Sequence, residues 1–166
     1  RYTDDLPANE VVISYANVGW PEIFRFVATP RSIQAAEMGK RGFIVAVEDR
    51  YERELRRFAQ RSLPAELRSQ PELARREAAE SFDGPTSYQT RRWAQRFETI
   101  VLYYRSLLAR PVLRANESDA LETIGRELFT LLFDGTDQIL AGVDTITIVP
   151  DGILGMVPFE TIVMPD

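Results

Sequence analysis

The chain has 166 residues, 25 of them acidic and 20 basic, for a net charge of −5, and it contains neither cysteine nor histidine. Those two absences exclude disulfides, thiolate or imidazole zinc sites, and Cys-His or Ser-His-Asp chemistry carried by these residues alone. The length suits one domain with a core that needs no covalent staple, and the acidic balance argues against a generic nucleic-acid or anionic-membrane surface.

In chain order, residues 11–38 read as an antiparallel β-meander. Val11-Val12-Ile13-Ser14-Tyr15 is short, β-branched and aromatic. Asn17-Val18-Gly19-Trp20-Pro21 supplies turn chemistry. In the second strand, from Glu22 to Thr29, Phe24, Phe26 and Ala28 fall on one face and Ile23, Arg25, Val27 and Thr29 on the other. Ser32 to Met38 follows as a third strand, and Gly39-Lys40-Arg41-Gly42 is read as the turn that closes the meander.

Residues 43–47 are uniformly apolar and read equally as strand or as the approach to a helix. Asp49 is the expected helix cap, with Tyr51, Leu55 and Phe58 following at helical spacing, and Ser62-Leu63-Pro64 ends that helix. Residues 62–90 are a polar surface connection with one short helix. The strongest helix is 90–109, where Trp93, Phe97, Ile100, Val101, Tyr104, Leu107 and Leu108 form one apolar stripe. A further helix over 118–133, capped by Ser118, places Leu121, Ile124, Leu128, Leu131 and Leu132 on one face and stops at Asp134-Gly135. The run from Asp144 to Val149 is the kind of β-branched strand that sits in a covered, parallel sheet. The expected organisation is thus a meander over 1–47, a helical segment over 48–140 and the start of a sheet core over 141–166, all one structural unit. The sheet to which the last strand belongs is expected to be completed by residues not in this chain.

No run approaches the ~20 apolar residues of a membrane helix, and Arg1-Tyr2-Thr3-Asp4-Asp5 does not open a signal peptide. A cytoplasmic protein is expected. Because the chain starts without Met, it is read as a fragment, a processed product or a trimmed piece.

For acid-base work only 15 Glu, 10 Asp, six Tyr and Lys40 are present, the lysine standing alone beside 19 Arg. Asp151, in Val149-Pro150-Asp151-Gly152, lies at the carboxyl end of the last strand, where sites collect in open α/β sheets. The same four residues also make a good turn. The string looks superficially like the nucleophile loop of haloacid-dehalogenase phosphatases, but the position that would need the nucleophilic Asp is Val149. Asp134 and Asp137 fall short of the six to eight or so oxygens calcium takes. The arginines at 53, 56, 57, 75, 76, 91 and 92 are interleaved with glutamates and read as a solvated, ion-paired face. No catalytic residue, metal site or cofactor is assigned. Trp20, Leu154 and Phe159 are candidate interface residues.

One stretch carries a specific resemblance. Leu128 to Met164 reads LFTLLFDGTDQILAGVDTITIVPDGILGMVPFETIVM. The Leu-rich helix, the strand ending Val149-Pro150-Asp151-Gly152, Leu154, and Pro158-Phe159-Glu160 resemble the opening of a CHAT domain, a caspase-like family related to separases and often found after tetratricopeptide repeats. The meander and the helix after it are similar to the region preceding that core. The resemblance implies an incomplete α/β, caspase-like fold and a cysteine endopeptidase whose His base and Cys nucleophile would follow this chain. It further implies the C-terminal half of the same domain as partner, a polypeptide substrate, upstream repeats, and Asp151 lining the substrate groove. With neither Cys nor His here, an N-terminal framework piece of a protease and an inactive interaction scaffold both remain open.

Overall fold

A computed structural model describes residues 6–17, 22–62 and 86–162, with side-chain detail for 6–17, 22–61 and 96–162. Three strands open the fold, β1 (Glu10–Ala16), β2 (Glu22–Ala28) and β3 (Ile33–Gly39). Three long helices follow, α1 (Lys40–Ser62), α2 (Thr86–Leu108) and α3 (Ala115–Phe133). A single turn of helix, α4 (Asp137–Leu140), leads into β4 (Thr145–Val149) and two 3-10 turns, Gly152–Met156 and Phe159–Thr161.

The meander forms as its alternation predicts, with Val12 opposite Ala28 in the β1–β2 pair and Phe26 opposite Ala35 in the β2–β3 pair, both antiparallel. One neighbour of β4 lies within the chain. β4 pairs parallel with β1, from Glu10↔Thr145 to Ser14↔Val149, so meander and final strand form one mixed sheet in the order β3-β2-β1-β4. Two Asn–Asp contacts bracket this parallel pair. Asn9 Nδ2 donates to Asp144 Oδ2 at 2.6 Å before the strands, and the Asn17 backbone N–H donates to Asp151 Oδ2 at 2.9 Å after them. Contrary to expectation, β4 is not covered: most of its side chains are exposed, because it is an edge strand among the described residues.

One face of the sheet builds the core. Val11, Ile13, Tyr15, Ile23, Val27 and Met38 are buried together with the apolar stripes of the three long helices. Burying a side chain such as Ile13 is worth about 1.5–3 kcal/mol. In α2 the buried residues whose side chains are described are Phe97, Ile100, Val101, Tyr103, Tyr104 and Leu107, the expected stripe widened by Tyr103 and with Leu108 half-buried, and in α3 they include Ile124, Leu128, Leu131 and Leu132. Trp93 has no described side chain.

Three helix starts differ from the sequence reading. Helix α2 begins at Thr86 rather than at residue 90. Residues 40–42, expected as a turn, are the first turn of α1, and Asp49 lies inside the helix. The ambiguous apolar run is helical because Phe43, Ile44, Val47, Tyr51 and Leu55 are buried at helical spacing while Val45 and Ala46 are exposed. A kink at Tyr51 (φ −124°, ψ 24°) joins two helical segments, and the Tyr51 hydroxyl bonds Asp119 and Thr123 of α3. Helix α3 starts at Ala115 rather than at Ser118. The Glu117 carboxylate accepts the Arg114 backbone N–H at 3.0 Å and completes the entry turn in place of a serine cap.

Candidate functional site: the carboxyl ends of β1 and β4

Because β1 and β4 run parallel, their carboxyl ends emerge side by side, with Asn17 following one and Pro150-Asp151-Gly152 the other. Asp151 is exposed and accepts the Asn17 N–H through one carboxylate oxygen. Its backbone carbonyl accepts from Leu154 N at 3.1 Å to start the first 3-10 turn. Gly152 has φ +54°, and a Cβ placed there would lie 3.5 Å from Asn17 Nδ2, an ordinary contact. The demand for glycine here is therefore conformational rather than steric. Gly152→Ala should cost about 1 kcal/mol, read from urea denaturation; unchanged stability would contradict the backbone argument.

Below Asn17 lies a group that the sequence reading noted only for its rarity. Lys40, the chain's sole lysine, is 1% exposed, and its Nζ donates to Asn17 Oδ1 at 2.7 Å. The ammonium also sits 5.7 Å from the centroid of the Phe97 ring. Burial pushes its pKa down, and Glu22 pulls against that shift. As the first residue of α1, Lys40 also places a cation at the wrong end of the helix dipole. Its position is thus costly by itself and is held by the Asn17 amide, the aromatic face and the nearby carboxylate. The result is a chain of contacts, Lys40–Asn17–Asp151, that ties the start of α1 to the ends of two strands.

The loop after Asp151 closes over the core. Leu154 is fully buried, and Phe159 is half-buried, stacked on Tyr15 at 6.0 Å and edge-on to Phe133 at 6.4 Å between centroids. Tyr104, in α2, donates its hydroxyl to the Thr161 carbonyl at 2.8 Å and anchors the second 3-10 turn. Two of the three expected interface residues, Leu154 and Phe159, are therefore packed against their own chain; Trp20 lies outside the described residues.

A second buried polar cluster stands on the helix side of β2. Arg25, 5% exposed, and Tyr15 both donate to the Leu132 carbonyl, each at 3.0 Å, and so satisfy the last turn of α3. Burial lowers the Arg25 pKa and raises that of Tyr15. Arg25 also lines an open cleft of about 420 Å³ at the β3 edge, with Glu37, Glu127 and Asp134 around it. Asp134 closes α3 with its N–H on the Thr130 carbonyl, and Asp137 lies in the first turn of α4. Among the described residues no group of three or more Asp or Glu is placed to hold a metal ion. Of the arginine cluster, Arg56 pairs with Glu52 at 2.6 Å, one turn apart on α1; residues 75 and 76, and the side chains of 91 and 92, are not described.

Chemically, the strand-end site offers an exposed carboxylate, a half-buried amide and a buried ammonium. Those groups can orient and hydrogen-bond a polar ligand such as a peptide backbone. They contain no thiol or imidazole to attack a carbonyl. No described helix is long and apolar enough to cross a membrane. Comparison with protein-family models, curated proteins and solved structures finds no match to this chain.

Proposed function

We propose that this mixed α/β chain is the N-terminal framework of a CHAT-type, caspase-like cysteine endopeptidase acting on polypeptides in the cytoplasm. The reading rests on resemblance, and one observation supports it most. The Val149-Pro150-Asp151-Gly152 string lies at the carboxyl end of a parallel strand, beside the end of β1, where α/β sheets assemble sites. In this reading the His base and Cys nucleophile come from residues following this chain in the family's order, and that C-terminal half is its principal partner. Upstream tetratricopeptide repeats would be a further neighbour. Asp151 then lines the groove and accepts a substrate backbone N–H through the oxygen not used by Asn17, while Lys40 and Asn17 keep the loop in place.

A second reading, an inactive scaffold for protein–protein contacts, draws on the exposed Phe26, Ile33 and Val149. A peptidase assay on the complete protein separates the two. Cleavage abolished by iodoacetamide, and reduced about tenfold in kcat/KM by Asp151→Ala at unchanged melting temperature, is expected for the protease. Absence of cleavage favours the scaffold. Cleavage indifferent to Asp151→Ala removes that residue from the groove.

A further inference from the structure

Strand β2 is turned in an unexpected sense. Its charged residue, Arg25, points into the helix-covered core, and its two phenylalanines, Phe24 and Phe26, point away from it. Phe26 is 40% exposed, Ile33 63% and Val149 48%. The register lines these up in rows across the outer face. One row runs Ala35, Phe26, Ser14, Val149; the next runs Ile33, Ala28, Val12, Thr147. Small residues thus flank Phe26 on both neighbouring strands and leave room for an apolar ridge to approach.

The same face is acidic at its margins. Glu10 lies on it, its carboxylate bonded to the Thr147 hydroxyl at 3.1 Å, and Glu37 lies opposite Phe24 on β3. Glu22 shares the parity of Phe24 and Phe26. The four strands contain one cation, Arg25, and it is on the other face. A solvated sheet face normally alternates polar side chains outward; this one carries an apolar centre with a negative rim.

We propose that the outer sheet face is a docking surface for an amphipathic helix of a partner polypeptide, with an apolar stripe flanked by Arg or Lys. Charge decides between the candidate occupants. A second copy would bring the same acidic rim against itself, on chains each carrying −5. A basic amphipathic helix meets the apolar rows with its stripe and the glutamates with its flanks. The inference does not depend on the peptidase reading, since it concerns the opposite side of the sheet from the helices and needs no catalytic residue.

The test uses this chain and two synthetic helices of about 18 residues, ~27 Å long, with identical Leu stripes flanked by Arg in one and by Glu in the other. Fluorescence anisotropy should show the Arg helix binding at least about tenfold more tightly than the Glu helix. Phe26→Asp should weaken it by about tenfold or more, with the far-UV spectrum unchanged. Glu37→Lys, at an exposed position that does not threaten folding, should narrow the difference between the two helices. Equal binding of both helices, binding of neither, or indifference to both substitutions overturns the proposal. A concentration-dependent dimer that Phe26→Asp dissociates overturns it in favour of a second copy.

Discussion

Lys40→Ala should lower the stability of the chain by about 3 kcal/mol, within the range for emptying a buried long side chain, whereas Lys40→Met should stay within about 1 kcal/mol of the parent. The difference follows from the two parts of the lysine. Its stem is buried at 1% exposure with the ammonium over the Phe97 ring, and methionine keeps most of that volume. Its ammonium bears a burial cost and a helix-dipole cost, set against contacts that include the Asn17 bond, the Phe97 face and the Glu22 carboxylate. Methionine removes cost and bond together, and the half-buried Asn17 can turn to water. Urea denaturation of the two variants checks this; equal losses would show that the charge, not the packing, is what the fold needs. Lys40→Met should also loosen the Asp151 loop, seen as faster amide exchange at Asn17 and Gly152 than at the core of β1.

The chain should unfold cooperatively in alkali, with the buried tyrosines ionising only as the fold is lost. Tyr15, Tyr51, Tyr103 and Tyr104 are each at most 5% exposed, and burial is the first cause raising the pKa of every one of them. An unfolded phenol ionises near pH 10. Above that pH the unfolded state sheds protons that the folded state retains, so stability falls as pH rises. Each phenol still protonated contributes a slope of up to about 1.4 kcal/mol per pH unit. Lys40 works in the opposite sense. Its folded pKa lies below the unfolded value, so its penalty is present in full below the folded pKa and is relieved as pH climbs toward about 10.4. Four phenols against one amine leave the tyrosines in control. Phenolate absorbance of these four should therefore rise together with the loss of far-UV dichroism. Gradual titration with the dichroism intact would mean that the hydroxyls bonded to Leu132, Asp119 and Thr161 are accessible after all. Tyr15→Phe should move the alkaline midpoint upward while costing about 1 kcal/mol at neutral pH from the lost bond to Leu132.

Local periodicity carried the elements a long way. The alternation of Ile23, Arg25 and Val27 against Phe24 and Phe26 is the alternation observed, and the described stripes of α2 and α3 are buried, with Leu108 and Leu121 half-buried at their margins. Asp134-Gly135 ends α3, with Gly135 at φ +72°. These features depend on neighbours within one or two turns, which a single sequence displays directly. The helix starts were less legible. An apolar run such as 43–47 has no polar partner to reveal its period, and Arg114 is not a usual capping residue.

What the sequence determined by itself was the inventory and the strings: no thiol, no imidazole, two amphipathic helices, a meander, and a Val-Pro-Asp-Gly turn after a β-branched strand. The tertiary structure alone decided three things. It paired β4 with β1 across more than 130 residues, turned Arg25 inward and Phe26 outward, and set Lys40 beneath Asn17 and Asp151. Periodicity is blind to each of them. It shows that a strand has two faces but not which one the helices will cover, and it shows a lone lysine but not the strand end it will meet. Those outcomes depend on contacts between distant segments, where the burial of the whole core outweighs the preference of any single side chain.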